Sequence, residues 1–324
     1  TSLTGKAVLR MKEVTGVNEN VAYTMHRLIF NYKFGKVEKC KFYNLIIDET
    51  SMVSTELMYD FFKVFKHHFR IICVGDSNQL SPMGRGDFFK ELINSGVINV
   101  YKLNINKRFE NNGILPNANG LISDQRNKNV PFQFVSKEGF YFIEGGLSMC
   151  NLVLKKLSES NVDQEKITVL SPKKMHIPYL VDCHRKYYLP GKKSFTIKDI
   201  SFALGDRVMQ TRNAYIENSF DIMNGEEGYI TNIDEDCICV DFENNVGVKY
   251  SWTISEPSNN PDIMPDSKPE DLCVSDIKPS FAKTIHCSQG SEYDYVILYI
   301  PENCNRFITI NLLYTALTRA KEKI

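Results

Sequence analysis

The sequence lacks the features that mark membrane proteins, disulfide-rich domains and strongly charged binding modules. It contains no run of about 18 apolar residues, so neither a transmembrane helix nor a membrane partner is predicted. Its 39 Lys and Arg residues are balanced by 39 Asp and Glu residues. This balance gives no electrostatic sign of an acidic partner, although a basic groove on one face stays compatible with it.

Cysteine is scattered and follows no spacing that indicates a metal site or a disulfide framework. The nine cysteines include no Cys-x-x-Cys pair. An odd number of cysteines in a chain of 324 residues is typical of reduced thiols. We therefore expect an intracellular, reducing location, either cytoplasmic or nuclear.

Short apolar runs that end in polar turns alternate with a helical pattern. Residues 45–47 precede Asp48-Glu49, and residues 71–74 precede Gly75. Between them, apolar side chains recur at helical spacing over residues 55–69. Buried strands separated by helices predict an α/β fold with a parallel sheet. Ligands of such a sheet bind at the carboxyl ends of the strands.

A different pattern covers residues 205–253. Short alternating segments separated by turns predict an antiparallel meander that forms a small barrel. Cys237 and Cys239 are predicted to lie in its core, and Trp252 is predicted to pack against it. Residues 255–276 hold four prolines and six acidic residues, which is typical of an irregular connector. The parallel pattern returns at Phe281, so the β unit is predicted to be an insertion in an α/β domain.

The acidic pair Asp48-Glu49 is the central chemical signal. At the end of a buried strand, an Asp can hold Mg²⁺ through water while the adjacent Glu orients or deprotonates an attacking water. Gln79 follows the next strand, where its amide can contact a γ-phosphate. The plain alternative for Asp48-Glu49 is a surface acidic pair.

A second signal lies near the end of the sequence, in a predicted helix over residues 313–320. Thr315 and Arg319 are four residues apart and so share one face of that helix. An arginine in this position can reach a phosphate. For Arg319 taken alone, a solvated helix charge is the alternative interpretation.

Taken together, the order and spacing of these blocks resemble superfamily 1 DNA helicases, most closely the RecD/TraA-like branch. The resembling blocks are Asp48-Glu49 (motif II), 75–80 (motif III), 103–108 (motif IV), 205–210 with 224–228 (entry to an SH3-like insertion), 284–292 (motif V) and 313–321 (motif VI). Several ordered blocks are far more specific than any one of them.

The resemblance implies an architecture of two RecA-like parallel-sheet domains, with an inserted small antiparallel SH3-like β-barrel and the nucleotide between the domains. The first domain is expected over residues 1–107. The second is expected over 108–204 and 280–324. The SH3-like insertion, with its Pro-rich acidic connector, is expected over 205–279.

The implied activity is that of an ATP-dependent helicase or translocase that moves 5′ to 3′ on single-stranded DNA. ATP and Mg²⁺ are the implied cofactors, and single-stranded DNA and duplex junctions the implied partners. Asp48 would bind Mg²⁺, Glu49 would act as general base and Gln79 would sense the γ-phosphate. Arg108 and Arg319 would neutralise charge in the transition state. The implied nucleotide-binding set is Asp48, Gln79, Arg108, Gly290, Glu292 and Arg319.

The resemblance also implies a groove for the DNA strand. Small polar side chains and histidines suit contacts with sugar and phosphate that ignore base sequence. The expected contact residues are Thr4, Thr24, His26, Pro82, Thr284, His286 and Ser288.

The segment Gly5-Lys6-Ala7 is not a phosphate loop. A phosphate loop needs an upstream strand and glycine, and a Ser or Thr after its Lys to reach Mg²⁺. The segment resembles motif Ia instead, so we expect a core fragment whose Walker A segment lies upstream of Thr1. Residues 1–324 alone are then expected to hydrolyse ATP poorly. Two alternatives stay open: an ATPase-deficient nucleic-acid-binding scaffold and a superfamily 1 RNA helicase.

Overall fold

A computed structural model describes nine segments of the chain: residues 1–16, 22–33, 44–103, 113–124, 133–197, 199–214, 222–252, 272–304 and 307–324. The chain divides into two compact units. The first comprises Thr1–Phe142, Gln289–Glu292 and Asn305–Ile324, and the second comprises Ile143–Ser288 and Tyr293–Cys304.

The described segments contain the helices α1 (Gly5–Thr15), α2 (Met25–Lys33), α3 (Thr55–Val64), α4 (Phe88–Asn94), α5 (Ile114–Asp124), α6 (Leu147–Glu159), α7 (Ile177–Tyr188) and α8 (Ile310–Leu317). Their strands are β1 (Asn44–Ile47), β2 (Arg70–Cys73), β3 (Ile167–Ser171), β4 (Ser194–Ile197), β5 (Ile200–Ala203), β6 (Arg207–Gln210), β7 (Glu227–Ile233), β8 (Cys237–Phe242), β9 (Val248–Ser251), β10 (Ile277–Pro279), β11 (Ala282–Thr284), β12 (Tyr293–Leu298) and β13 (Ala320–Lys323).

In the first unit, β1 and β2 pair in parallel, as predicted, with Ile47 opposite Cys73. Helix α3 starts where the Ser54 side chain accepts a hydrogen bond from the amide of Leu57, an N-cap that satisfies a free helix donor. The helical spacing extended to residue 69, but α3 ends at Val64. Phe65 adopts an extended backbone there. Its ring stacks on Phe61 with the centroids 4.5 Å apart, so packing within the core replaces a further helical turn.

The β1–β2 pair is covered on one face only. Leu45 and Ile47 are buried, whereas Ile46 is 51% exposed and Ile72 is 45% exposed. The interpretation of the first two strands as buried was therefore right for one face and wrong for the other. Period-2 alternation of the side chains places successive residues on opposite faces.

In the second unit, β3 is buried along its whole length. It lies between β11 and β12 and pairs with both in parallel. Helices α6 and α7 supply Leu154 and Leu180 to the core beside Val169. This is the α/β arrangement that the sequence pattern predicts.

The second unit also contains a five-stranded antiparallel sheet in the order β10-β6-β7-β8-β9. Its core includes Phe202, Ile238 and Tyr250. Position 228 in β7 requires glycine for steric reasons, because a Cβ there would lie 2.5 Å from the carbonyl oxygen of Asp241. The predicted meander is thus present as an antiparallel sheet. Most of the predicted connector, residues 255–271, lies outside the described residues.

The two compact units do not follow the predicted domain boundaries. Residues 305–324 group with the first unit, whereas the sequence analysis placed 280–324 in the second domain. Compactness and RecA-like domain structure are different criteria, so the predicted boundaries stay a prediction. Within the part of the chain described, no helix combines the length and apolar character needed to cross a membrane.

Candidate functional site

Asp48 and Glu49 follow β1 directly and are both half-buried. The Asp48 carboxylate accepts a hydrogen bond from the backbone amide of Glu49, with 2.9 Å between Oδ1 and N. Glu49 has φ 52° and ψ 40°, a left-handed conformation that is uncommon for a residue with a side chain. The chain therefore turns sharply at the strand end, where ligands of parallel sheets bind.

The next residues tie the ends of β1 and β2 together. The Thr50 hydroxyl donates to the carbonyl of Ile47 at 2.7 Å, and the Thr50 amide donates to the carbonyl of Val74 at 2.8 Å. A Cβ at position 75 would lie 3.0 Å from the amide nitrogen of Ser51. Gly75 thus lets the loop after β2 approach the acidic pair closely.

The loop that follows β2 begins with an Asx turn at Asp76. One carboxylate oxygen of Asp76 accepts from the amide of Asn78 at 2.9 Å. Its other oxygen accepts from the hydroxyl of Tyr314 in α8 at 2.8 Å. Asp76 therefore shapes the loop and also attaches it to α8.

Two further side chains of α8 hold the same loop by its backbone. Asn311 donates to the carbonyls of Asn78 and Gln79 at 2.9 and 3.1 Å. The Thr315 hydroxyl accepts from the amide of Leu80 at 2.9 Å. The loop bearing Gln79 and the helix leading to Arg319 are therefore one hydrogen-bonded assembly.

The loop holds Gln79 in place, but the side chain of Gln79 is not fully hydrogen-bonded. Its Oε1 atom is buried and has no hydrogen-bond partner among the described residues. A buried polar atom of this kind costs free energy unless a ligand or water satisfies it. Because the oxygen and nitrogen of a side-chain amide are interchangeable by rotation, Gln79 can donate to a phosphate or accept from water.

Arg319 lies in a turn and not in the predicted helix, because α8 ends at Leu317. Arg319 as a whole is 3% exposed. Its Nε donates to the carbonyl of Thr315 at 3.1 Å, which confirms that these two residues are neighbours, and Nη1 donates to the carbonyl of Ser291 at 3.1 Å. The buried face of the helix includes Leu312 and Ala316.

The segment around Gly290 and Glu292 lies beside α1. Gly290 has φ 74°, and a Cβ there would contact the hydroxyl of Thr4 at 3.4 Å. The Glu292 carboxylate forms an ion pair with Arg10 at 3.2 Å. Together with Arg319 bound to Ser291, this segment belongs to the first unit.

Six of the seven predicted catalytic and nucleotide-binding residues therefore lie in one compact unit: Asp48, Glu49, Gln79, Gly290, Glu292 and Arg319. The seventh, Arg108, lies outside the described residues.

The predicted strand-binding residues divide between the units. Thr4 and Thr24 are N-caps, because their hydroxyls accept from the amides of Ala7 at 3.3 Å and Arg27 at 3.2 Å. A parallel bridge between Ser2 and Thr24 brings the starts of α1 and α2 together. Helix N-termini are positions at which phosphates commonly bind. His26 is exposed there, and Pro82 is half-buried elsewhere in the first unit.

In the second unit, Thr284 and Ser288 shape a short turn. The Thr284 hydroxyl accepts from the amide of Cys287 at 3.4 Å, and the Ser288 hydroxyl donates to the carbonyl of Ile285 at 2.7 Å. Ser288 is fully buried, whereas His286 is exposed. Partial desolvation lowers the pKa of both His26 and His286.

A buried charge network lies next to this turn. Lys283 is 3% exposed; it donates to the carboxylate of Glu227 and, at 2.9 Å, to the hydroxyl of Tyr293. Glu227 also pairs with Arg207, which donates to the carbonyl of Ile167 at 2.8 Å. Burial lowers the pKa of Lys283 to about 8 against the opposing effect of Glu227. The network joins the antiparallel sheet to β3, β11 and β12.

Several of these contacts could not be predicted from the sequence. Asp76 followed by Asn78 carries a recognisable Asx-turn signal. No local signal indicates the bonds of Tyr314 and Asn311 to the loop, which is more than 230 residues away in sequence.

The fold and the strand-end residues define a RecA-like α/β protein. Residues 1–85 match the family model of an AAA domain, and residues 279–324 match that of a UvrD-like helicase C-terminal domain. The chain is 28% identical to the ATP-dependent RecD2 DNA helicase of Deinococcus radiodurans, over 99% of this chain and 41% of that protein. It is 26% identical to the uncharacterized protein MJ1519 of Methanocaldococcus jannaschii, over 99% of this chain and 33% of that protein.

Among solved structures, the fold is similar to Pif1 helicase from Bacteroides in complex with ADP-AlF3 and single-stranded DNA. The TM-score is 0.55 and the sequence identity 17%, with 99% of this chain and 79% of that chain covered. These comparisons confirm the resemblance to superfamily 1 helicases of the RecD-like branch. The chain spans less than half the length of the two curated relatives.

Proposed function

We propose that this chain forms the motor part of an ATP-dependent DNA helicase or translocase that moves 5′ to 3′ along single-stranded DNA. The observation that carries the proposal is the grouping of Asp48, Glu49, Gln79 and Arg319 in one unit. Hydrogen bonds from α8 to the 76–80 loop connect the last two of these residues. A scaffold without ATPase activity has no need of this set.

The residues fit a nucleotide with Mg²⁺. Asp48 offers a half-buried carboxylate at a strand end, which is the ligand type that Mg²⁺ prefers. Bound there, Mg²⁺ would neutralise phosphate charge. Glu49 accepts a proton from the attacking water, and the free amide of Gln79 contacts the terminal phosphate. Arg319, with Arg108, stabilises the charge that develops on the phosphate oxygens.

The attachment of the 76–80 loop to α8 couples Gln79 to Arg319. A contact made or lost by Gln79 changes the loop, and Tyr314, Asn311 and Thr315 transmit that change to α8. Arg319 is bonded to the carbonyl of Thr315 and follows it. Phosphate sensing and arginine position are therefore linked through one helix.

Single-strand contacts are assigned to Thr4, Thr24, His26, Pro82, Thr284, His286 and Ser288. The Pif1 relative is described as a complex with single-stranded DNA, which supports this choice of partner. We also propose that the antiparallel sheet is an SH3-like insertion over residues 205–279, and that RecA-like domains cover 1–107 and 108–204 with 280–324.

The first test is ATP hydrolysis by the full-length protein with Mg²⁺ and single-stranded DNA. Glu49→Gln keeps the side-chain shape but cannot take a proton, so turnover should fall about 10²–10⁴-fold with nucleotide binding retained. The matched control is Glu56→Gln, an exposed residue in the first turn of α3. Near-normal turnover by Glu49→Gln would contradict the assignment.

A second test addresses strand binding and direction. His26→Ala, His286→Ala and the double variant should bind a labelled single strand more weakly than wild type, with exposed His68→Ala as control. Binding should weaken with salt by a slope of about −0.7 per phosphate neutralised. Partial duplexes with a 5′ or a 3′ tail give the direction, and an RNA strand of the same sequence tests the RNA alternative. Wild-type affinity in all three variants would refute the assigned contacts.

A further inference from the structure

The tip of the β7–β8 hairpin places two thiols on the outer face of the antiparallel sheet. In β8, Ile238, Val240 and Phe242 are buried in the core, while Cys237 and Cys239 are half-buried. The prediction that these cysteines belong to the core was therefore wrong, because the pattern alternates with the opposite phase. Residues two apart in a strand point to the same side.

A carboxylate lies next to the two thiols. Asp234 starts the turn between the strands, and its amide donates to the carbonyl of Cys237 at 2.9 Å. One carboxylate oxygen of Asp234 and the sulfur atoms of Cys237 and Cys239 all lie within 4.8 Å of one another. The turn brings them together from positions i, i+3 and i+5.

The turn is held in place by neighbours outside the triad. Trp252 donates through its ring nitrogen to the carbonyl of Asp234 at 3.0 Å and through its amide to the carbonyl of Asp236 at 3.2 Å. Asn232 donates to the carboxylate of Asp234 at 2.9 Å. A hydrogen bond to a ligating carboxylate is the usual outer support of a metal site.

The donor set selects a class of ion. Two sulfurs and one oxygen around a tetrahedral zinc lie about 3.6–3.8 Å apart, given the usual Zn–S and Zn–O bond lengths. The triad therefore needs to contract by about 1 Å at most, which side-chain rotation can supply. Thiolate ligands favour zinc-like ions and disfavour Mg²⁺ and Ca²⁺, which prefer oxygen. Water completes the fourth position.

A disulfide between the two cysteines is a poor alternative. Residues i and i+2 of one strand have Cα atoms about 6.6–6.8 Å apart. That distance is the upper end of the range that disulfides span, about 4.4–6.8 Å. Closing the bridge would distort β8 where it pairs with β9, opposite Lys249 and Ser251.

We propose that Asp234, Cys237 and Cys239 bind a thiophilic divalent ion of the zinc class at the tip of the β7–β8 hairpin. The site lies in the antiparallel sheet of the second unit and does not depend on the proposed ATPase function. Bound metal would fix the turn and the end of the hairpin.

The test is a titration of the reduced, untagged full-length protein with Co²⁺ at one fixed pH, followed by competition with Zn²⁺. The wild type should develop thiolate-to-cobalt charge-transfer and tetrahedral d–d absorption that Zn²⁺ abolishes. Cys237→Ser/Cys239→Ser should lose these bands, and Asp234→Asn should weaken binding about tenfold or more. The matched control is Cys73→Ser/Cys287→Ser, which replaces two other half-buried thiols.

A wild type without cobalt–thiolate bands, or a Cys237/Cys239 double variant with unchanged bands, would overturn the proposal. A second measurement needs no variant. Zn²⁺ should protect Cys237 and Cys239 from alkylation by at least about tenfold relative to Cys73 and Cys287, as read by mass spectrometry of peptides. Equal protection of all four thiols, or protection of none, would also overturn it.

Discussion

The two units hold their motif segments in place by different forces. In the first unit, the 76–80 loop is attached to α8 by hydrogen bonds from Tyr314, Asn311 and Thr315, and most of that loop is half-buried. In the second unit, the residue before the 284–288 turn is Lys283, which is itself buried and is fixed by an ion pair with Glu227.

This difference has an energetic meaning. A hydrogen bond between partly exposed groups contributes about 0.5–1.5 kcal/mol, because water replaces it when it opens. Removing one partner of a buried ion pair costs about 3–5 kcal/mol, because the other charge is left without compensation. The loop at Gln79 is therefore suited to rearrangement, and the segment at Lys283 is suited to act as a rigid frame.

The largest effect on stability is expected for Lys283→Met. The variant leaves the Glu227 carboxylate, whose side chain is 14% exposed, with one cationic partner fewer, so the free energy of unfolding should fall by about 3–5 kcal/mol. Trp252, the one tryptophan of the sequence, lies in the second unit and reports its unfolding in urea. The control is Lys193→Met at an exposed position. If the free energy of unfolding fell no more than in the control, the charge network would not be what holds this segment rigid.

The second prediction concerns the stability that the second unit loses in acid. His184 stacks on Phe281 with the ring centroids 3.6 Å apart. Burial, with smaller effects of Arg207 and Arg185, lowers the pKa of His184 to about 3 from an ordinary 6.5. The unfolded chain therefore takes up the proton first. Stability is fully present above about pH 6.5 and is lost as the pH falls toward 3.

Between pH 7 and pH 5, protonation of His184 in the unfolded chain should lower the free energy of unfolding by about 2 kcal/mol. His184→Phe keeps a ring against Phe281 and should remove this part of the pH dependence, whereas His68→Phe, at an exposed position, should keep it. Urea unfolding at pH 7 and pH 5, followed by Trp252, measures the difference. Parallel pH profiles for wild type and His184→Phe would contradict the prediction.

The smallest effect is expected in the first unit. Tyr314→Phe removes the hydroxyl that donates to Asp76 and changes little else. It should cost about 0.5–1.5 kcal/mol. Hydrogen exchange at the amide of Leu80 should speed up correspondingly, while Tyr59→Phe, which is 60% exposed, should leave it unchanged. If Tyr314→Phe lowered the free energy of unfolding as much as Lys283→Met, the 76–80 loop would be held as firmly as the segment at Lys283.

The sequence was informative where local patterns decide the structure. The apolar runs at β1 and β2 and the acidic pair after β1 lie where they were predicted. Burial of a strand on one face or two depends on what packs against it, and so the exposure of Ile46 was not predictable. The alternating pattern of β8 indicated that successive side chains lie on opposite faces of the sheet. It did not indicate on which face Cys237 and Cys239 lie.

Long-range charge pairs were the least predictable feature. Lys283 and Glu227 are 56 residues apart, and each stands in a segment that reads as an ordinary strand. The tertiary fold of the second unit, which sets β11 and β12 beside β7, brings them together. The end of α8 was missed for a related reason, since the bonds of Arg319 to Ser291 and Thr318 replace a further helical turn.

The left-handed backbone at Glu49 has a consequence for how this chain can change during evolution. Glycine adopts such a conformation without steric cost, whereas a residue with a side chain is strained there. Selection for folding alone would thus favour glycine at position 49, and selection for proton transfer would favour glutamate. Under the proposed function, stability and turnover therefore conflict at this single position, and homologues that have lost catalysis should be the ones in which glycine or asparagine replaces the acid.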